Sequence, residues 1–172
     1  MPPPNLTPHL VPADRLPAGV RAALPPSGVT VLAVDDDASD TAAFSARYGF
    51  DLADCANTIV LRYRQDGADR HAAIVSLAAR RLDVNGAVKV RLGARKVSFA
   101  YRDAATALTG MEFGGITAFG LPAGWRLLVD AAVMARDEVV MGAGIRTLKL
   151  LLPPRLLGGL PGVEVAALTL PA

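Results

Sequence analysis

The amino-acid sequence predicts an α/β domain built on a mixed, curved, barrel-like β-sheet flanked by helices. Short β-branched runs outnumber long helical patterns along the 172 residues, and both hairpin signals and longer crossovers join them. No internal repeat or linker divides the chain. Its 52% of hydrophobic and 20% of charged residues are typical of a globular protein. We therefore expect a single domain with one substantial core.

The first 26 residues are expected to stand apart from that domain. Residues 1–13 contain five prolines and should be loose. Residues 14–24 predict a short helix, which the following Pro-Pro-Ser-Gly ends. We therefore place a proline-rich tail and a short helix at residues 1–26, and the folded domain at residues 27–170.

The elements of the folded domain follow from β-branched runs, capping residues and turn signals. The predicted strands are residues 29–34, 57–64, 70–78, 96–100, 126–134, 138–144, 145–152 and 163–170. The predicted helices are residues 35–49, 82–93 and 102–110. Asp66-Gly67 is a strong hairpin signal between the second and third strands. The acidic run 35–37 predicts a solvated turn and a helix N-terminus, which favours carboxylates, rather than a metal site.

Several classes of protein lack their signatures in this sequence. There is no G-x-S-x-G elbow, Walker loop or H-E-x-x-H motif, and the Gly-x-Gly at residues 142–144 has no third glycine. Cys55 is interpreted as a buried structural cysteine, with His71 as its only candidate base. We expect no metal and no organic cofactor.

Charge and hydropathy bear on partners and location. A net charge of +2 is too small to indicate the basic surface stripe of a nucleic-acid-binding protein, so we expect no DNA partner. No apolar run approaches the roughly 20 residues of a membrane span, and the N-terminus lacks the pattern of a secretory signal. We therefore expect a cytoplasmic protein with no membrane partner.

Residues 109–122, TGMEFGGITAFGLP, hold four glycines in a stretch that otherwise alternates like a strand. Each glycine within a strand costs about 0.5–1 kcal/mol relative to alanine. Closely spaced glycines can expose backbone N–H groups to a ligand and form an oxyanion hole. A glycine-kinked strand of a barrel is the structural alternative.

The order of these segments resembles the YbaK/EbsC family, which comprises free-standing aminoacyl-tRNA deacylases and the editing insertion of bacterial prolyl-tRNA synthetases. The resemblance covers residues 27–170. The segments that carry it are SDTAAFSARYGF, DCANTIVLRYR, RLDVNGAVKVRLGARKVSFA and TGMEFGGITAFGLP, followed by LLVDAAVM and VVMGAGIR. The most specific of them, TGMEFGGITAFG, looks like the family's T-G-(x)₃-G-G-[IV]-[ST]-P-(x)-G loop.

The resemblance implies a trans-acting deacylase that hydrolyses the ester of mischarged tRNA, chiefly tRNA for proline, with a positioned water and backbone donors. The implied partners are the tRNA acceptor end and an aminoacyl-tRNA synthetase. The catalytic residues it implies are Asn57, Gly114, Gly115 and Thr117. The substrate-binding residues it implies are Phe113, Asp130, Gly142, Gly144 and Arg146.

Two positions depart from the family pattern. Asn57 stands where the deacylases usually carry the lysine of a K-[ST]-[IL] pattern, and it can donate a hydrogen bond but supplies no charge to grip the adenosine phosphate. Ala118 replaces the proline of the glycine-rich loop, so that the backbone there is less rigidly preset. The alternative is therefore a non-catalytic module that binds tRNA 3′ ends or an aminoacyl-adenosine-like small molecule.

Overall fold

The structure, a computed structural model, describes residues 9–171. Nine strands and five α-helices lie in this range. The strands are β1 (His9–Val11), β2 (Thr30–Ala33), β3 (Cys55–Gln65), β4 (Ala68–Leu77), β5 (Val97–Phe99), β6 (Arg126–Asp130), β7 (Val139–Gly142), β8 (Leu148–Leu152) and β9 (Val163–Ala166). The α-helices are α1 (Ala18–Ala23), α2 (Thr41–Tyr48), α3 (Lys89–Leu92), α4 (Arg102–Thr109) and α5 (Ala131–Met134).

The strands form one mixed, curved sheet, as the sequence predicts, and the sheet does not close into a barrel. Its order is β1-β2-β8-β7-β3-β4-β6-β9, with β5 added to β3. The pairs β3–β7, β4–β6 and β6–β9 are parallel, and the other pairs are antiparallel. Within residues 9–171, none of the helices combines the length and the apolar character that crossing a membrane requires.

The long strand β3 changes partner along one of its sides. Its other side pairs with β4 from Ala56 to Gln65. On the first side, Ala56 pairs with β7, whereas the pairing with β5 begins only at Leu61. Between these two pairings, residues 57–59 have no strand partner on that side among residues 9–171. The sheet therefore has a gap at residues 57–59.

Local signals in the sequence produce the predicted hairpin and helix ends. Asp66 (φ 53°) and Gly67 (φ 75°) both adopt the left-handed conformation that a type I′ turn requires between β3 and β4. The Asp40 side chain caps the N-terminus of α2. Arg47 on α2 forms a salt bridge with Asp37 in the preceding acidic run, which agrees with a solvated turn rather than a metal site.

The N-terminal prediction is partly wrong. Residues 9–11 form β1, and Leu10 lies opposite Leu32 of β2. The edge of β2 presents free backbone N–H and C=O groups, and residues 9–11 can pair with them because they contain no proline. Val20 of α1 is buried in the main hydrophobic core. The rest of the segment expected to be loose, residues 1–8, lies outside the described residues.

Three other expectations change in detail. In the segment 109–122, Thr109 ends α4 and residues 110–122 form turns and loop rather than a strand, since their glycine backbone packs against another loop. The strand predicted over residues 126–134 ends at Asp130, which caps α5. The helix predicted over residues 82–93 is a π-helical turn at Val84–Val88 that continues into α3.

Helix α2 covers the face of the sheet on which the gap opens. Phe44 and Tyr48 of α2 form a buried cluster with Cys55, Val140 and Leu151 from β3, β7 and β8. Cys55 and Val140 are register partners, and so are Val140 and Leu151, so these three side chains lie in one row on one face. The next row on that face, two residues along each strand, carries the polar groups described below.

Candidate active site at the gap in the sheet

A cavity of about 400 Å³ lies at the gap beside β3. Most of its walls are apolar, with aromatic or aliphatic side chains from Phe44, Ile59, Val60, Phe99, Phe113, Ile116, Val140 and Met141. The polar side chains that line it belong to Asp40, Thr41, Cys55, Asn57, Thr58 and Lys149. An apolar pocket with a few convergent polar groups has the composition of a small-ligand site.

Asn57, Gly142 and Lys149 form one row across β3, β7 and β8. Gly142 is the register partner of Lys149, and Asn57 follows Ala56, whose partner is the residue before Gly142. Residues in one row point to the same face, so all three line the cavity. Adjacent strands lie about 4.8 Å apart, which puts the Cα atoms of Asn57 and Lys149 about 10 Å apart. Above Gly142, the backbone of Gly115 and Ile116 occupies the place where a side chain would lie.

The Asn57 side chain is held by α2. The Thr41 hydroxyl donates a hydrogen bond of 2.7 Å to Asn57 Oδ1. This bond occupies the acceptor side of the amide, and it orients the Nδ2 group as the donor side. Because Thr41 is the first residue of α2, the helix and the strand together fix the direction in which Asn57 can donate.

Lys149 is a buried cation at the cavity, with 6% of its surface exposed. Its Nζ donates a 2.6 Å hydrogen bond to the Ser39 carbonyl oxygen and lies 5.6 Å from the centre of the Phe44 ring. It forms no salt bridge with any carboxylate of residues 9–171. Burial lowers the pKa of Lys149, because the ammonium loses hydration; the charge of Asp40 acts in the opposite direction.

The glycine-rich loop packs its backbone against the turn after β7. A methyl group at Gly115 would lie 2.7 Å from the carbonyl carbon of Ile145, and one at Gly142 would lie 2.6 Å from the carbonyl oxygen of Ile116. The Gly144 N–H donates a 2.6 Å hydrogen bond to the Gly115 carbonyl oxygen. Side chains are excluded here because two stretches of protein backbone meet, and a ligand is not needed to explain these glycines.

Two adjacent amides of this loop differ in their hydrogen bonding. The Gly115 N–H donates to the Glu112 carbonyl oxygen at 2.9 Å, so that it is already satisfied within the loop. Gly114 lines the cavity, and its N–H finds no acceptor among residues 9–171. The Gly114 N–H is therefore the amide of this pair that a ligand can use.

Four of the nine site residues predicted from the sequence line the cavity. These are Asn57, Phe113, Gly114 and Gly142. Gly115 and Gly144 lie behind them and join the two loops. The Arg146 guanidinium lies beside Gly114, with Nη1 3.2 Å from the position of an added methyl group, and Nε is 3.4 Å from Asp36 Oδ1.

Thr117 and Asp130 do not line the cavity. Thr117 is fully buried behind the loop, and its hydroxyl has no partner among residues 9–171. Asp130 accepts hydrogen bonds from the Leu168 N–H at 2.7 Å and from the Thr169 hydroxyl at 3.1 Å. It thereby ties β6 to the C-terminal segment, which differs from the pocket wall expected from the sequence.

Exposed aromatic residues surround the mouth of the cavity. Phe99 is 57% exposed and Phe113 is 44% exposed, and both also line the cavity. The Arg102 guanidinium lies 4.7 Å from the centre of the Phe113 ring. Nearby in sequence, Tyr101 is 73% exposed and has Arg62 5.7 Å from its ring centre. Paired arginine and aromatic side chains are suited to stacking with nucleic-acid bases.

Cys55 is buried at the cavity wall, as the sequence predicts. Burial raises the pKa of its thiol to about 11, although the nearby charge of Lys149 opposes the shift. A protonated thiol is a poor nucleophile. The geometry therefore favours the structural interpretation of Cys55 over a catalytic one.

Four polar residues of the cavity were not among the site residues expected from the sequence: Asp40, Thr41, Thr58 and Lys149. Thr41 resembles an ordinary residue of the first helical turn. Lys149 does leave a signal, because it is the single charged residue within the apolar strand β8, LKLLL. A lone charge inside an otherwise buried strand calls for a specific partner or a functional site.

Residues 35–158 match the family model of the aminoacyl-tRNA editing domain. The chain therefore belongs to the aminoacyl-tRNA editing domain family, as its resemblance to the YbaK/EbsC proteins implies. The matched span includes every polar residue that lines the cavity. No curated protein matches the chain.

Solved structures share the fold. The hypothetical protein APE2540 is 26% identical, with a TM-score of 0.73, and the match covers 81% of this chain and 90% of that one. A candidate trans-editing enzyme for prolyl tRNA synthetase is 20% identical, with a TM-score of 0.77, over 95% of this chain and 100% of that one. A scaffold protein used for computational epitope grafting is 20% identical, with a TM-score of 0.73, over 83% and 88% of the two chains.

Proposed function

We propose that this protein is a trans-acting aminoacyl-tRNA deacylase that hydrolyses the ester between a wrongly attached amino acid and the 3′ adenosine of tRNA of the prolyl type. The observation that carries the proposal is the cavity at the sheet gap, which lies within the span matched by the editing-domain family and combines apolar walls with the donors of Asn57 and Gly114. The neighbour named as a candidate trans-editing enzyme for prolyl tRNA synthetase supports the prolyl type.

The size and lining of the cavity suit an aminoacyl ester. Ligand pockets commonly measure about 300–1,000 Å³, and a cavity of about 400 Å³ accepts an amino acid with part of a nucleoside. Apolar walls exclude bulk water from the ester and strengthen each hydrogen bond made there. Such a cavity suits a small amino acid presented on the end of a flexible tRNA strand.

Hydrolysis requires donors to the oxygen on which negative charge develops. Water attacks the ester carbonyl carbon, the bond from that carbon to the ribose oxygen breaks, and the ribose oxygen takes a proton. In this proposal the Gly114 N–H and the Asn57 amide donate to the carbonyl oxygen, and one such donor is worth about 10²–10³ in kcat. Asp40 supplies a carboxylate at the cavity that can accept a proton from the attacking water.

The aromatic rim suits the single-stranded end of tRNA. Unpaired bases stack on aromatic side chains and on arginine planes, and stacking contributes about 1–3 kcal/mol for each base. In this proposal the nucleotides next to the esterified adenosine leave the cavity past Phe99 and Phe113, which are exposed and line it. The modest net charge of +2 agrees with a protein that grips only the acceptor end and gains affinity from a synthetase partner.

The test is deacylation of tRNA for proline charged separately with alanine, cysteine, serine and threonine, beside a panel of other charged tRNAs. We expect one ester to be hydrolysed and Asn57→Ala to reduce kcat by about 100-fold. Asn85→Ala, at an exposed position away from the cavity, is the matched control and should retain full activity. Loss of activity in both variants would contradict a specific role for Asn57.

The binding-module alternative is decided by the same assay with a binding measurement added. Asn57 carries no charge at the position where the deacylases have lysine, and the Gly115 N–H is already bonded to Glu112. A folded protein that binds charged tRNA tightly but hydrolyses none of the esters would establish the binding module and overturn the deacylase proposal.

A further inference from the structure

The buried charge of Lys149 lacks a counter-ion within the described part of the chain. Moving an ammonium from water into a protein interior costs several kcal/mol, and a nearby carboxylate usually offsets this cost. The Asp40 carboxylate lines the same cavity and favours the charged form, but it forms no salt bridge with Lys149. The direct contacts of the ammonium are the Ser39 carbonyl oxygen and the Phe44 ring. Both are weak substitutes for an anion.

The donors of Lys149 are only partly used. An ammonium has three N–H donors, and one of them is bonded to Ser39. The side chain lines the cavity, so an oxygen atom of a ligand can reach the remaining donors. Asn57 lines the same cavity, so that a neighbouring group of the ligand can contact Asn57.

A purely structural role for Lys149 is the competing explanation. Its bond to Ser39 joins β8 to the residue that precedes the cap of α2. A leucine or methionine would fill the same interior without a desolvation cost, as the neighbouring residues of β8 do. The charge therefore needs a reason beyond packing, and its position at the cavity provides one.

We propose that Lys149 is the anion-recognition residue of the cavity and donates to a negatively charged oxygen of the ligand. The identity of the ligand rests on the function proposed above. Within a tRNA 3′ end, two sources share this chemistry: the phosphate of the terminal nucleotide, and the oxyanion that forms on the ester carbonyl during hydrolysis. In the first case Lys149 is a binding residue, and in the second it is a catalytic residue.

The first experiment measures binding and does not depend on hydrolysis. Adenosine 5′-monophosphate and adenosine are titrated into the wild type, Lys149→Met, Lys149→Arg and Lys96→Met. If the phosphate is the source, the wild type binds the monophosphate at least about tenfold more tightly than adenosine, because a charged hydrogen bond contributes about 1.5–3 kcal/mol. Lys149→Met loses this preference. Lys149→Arg and the exposed-lysine control Lys96→Met retain it.

The second experiment measures deacylation kinetics for the same variants. If the oxyanion is the source, the wild type binds adenosine 5′-monophosphate and adenosine equally, and Lys149→Met lowers kcat at least tenfold with little change in KM. Should Lys149→Met fail to fold, the Lys149 side-chain NMR signal of the wild type replaces it. That signal shifts on addition of the monophosphate, but not of adenosine, when the phosphate is the source.

The outcomes separate this inference from the proposed function. A folded Lys149→Met with unchanged nucleotide preference and unchanged deacylation overturns the role of Lys149 and leaves the deacylase intact. A preference for the monophosphate that Lys149→Met abolishes, in a protein that hydrolyses no ester, supports the anion site and overturns the deacylase. In a protein that hydrolyses no ester, equal binding of adenosine 5′-monophosphate and adenosine overturns both proposals.

Discussion

Lys149 and Asn57 lie in the same row of the sheet, two strands apart, with the bare backbone of Gly142 between them. The resemblance to the YbaK/EbsC proteins implies a lysine at position 57, where this chain has an asparagine. A buried lysine from β8 lines the same cavity. The amide and the ammonium therefore share one cavity.

Exchanging the charge across the row tests whether the cavity needs one cation. We expect Asn57→Lys combined with Lys149→Met to retain more deacylase activity than Lys149→Met alone, since the lysine restores a positive charge at the same cavity. Asn57→Lys alone should lose activity, because two ammonium groups at one cavity repel each other. The measurement is kcat/KM for the three variants and the wild type.

Thermal unfolding of the same variants separates loss of charge from loss of fold. If the double variant is folded and no more active than Lys149→Met, the position of the cation matters rather than its presence, and the two residues are not exchangeable.

Gly142→Ala tests the close approach of the two loops. The added methyl group would lie 2.6 Å from the Ile116 carbonyl oxygen, so the glycine-rich loop must move. We expect a loss of about 1–3 kcal/mol in the free energy of unfolding. Gly158→Ala is the control, because nothing lies within 4 Å of its methyl position. Equal stability of Gly142→Ala and the wild type, measured by urea denaturation, would show that the glycine-rich loop moves aside without a cost in free energy.

Asp40→Asn tests the carboxylate at the cavity without removing the helix cap. Asp40 Oδ1 accepts a 2.8 Å hydrogen bond from the Ala43 N–H, and asparagine caps helices about equally well. The free energy of unfolding should therefore change little. If Asp40 accepts the proton of the attacking water, kcat should fall by about 10²–10⁴. An unchanged kcat in single-turnover assays would mean that another group takes the proton.

The thiol of Cys55 should react slowly in the native protein. Burial raises its pKa to about 11, so the thiolate is scarce at pH 8 and increases only as the pH rises towards that value. We expect alkylation by iodoacetamide at pH 8 to be at least about 100-fold slower than in urea, where the thiol has its ordinary pKa of about 8.5. Comparable rates in the native and unfolded protein, followed by mass spectrometry, would show that the wall of the cavity opens readily.

Local chemistry explains the parts of the fold that the sequence predicts well. Asp66-Gly67 can form a type I′ turn without help from the rest of the chain. Asp40 begins α2 with its side-chain cap, and Gly49 ends the helix in the left-handed conformation. By contrast, β1 exists only because β2 presents a free edge to it. Its three residues carry no strong strand signal of their own.

The sequence predicts only part of the candidate site. Asn57, Phe113, Gly114 and Gly142 reach the cavity, and the family pattern points to them directly. Glycine alone does not reveal whether its neighbour is a ligand or another backbone segment, and for Gly115 the neighbour is the backbone of Ile145.

The sequence by itself determined the class of fold, the hairpin, the helix ends and the family, because each depends on residues that are close along the chain or on a continuous motif. The tertiary structure alone decided where the cavity opens and which charge enters it. The gap arises because β3 exchanges β7 for β5 along one side. Lys149 and Asn57 come to the same cavity through the register of strands that are distant in sequence. Strand register brings such groups together, and no hairpin turn fixes the register between β3 and β7.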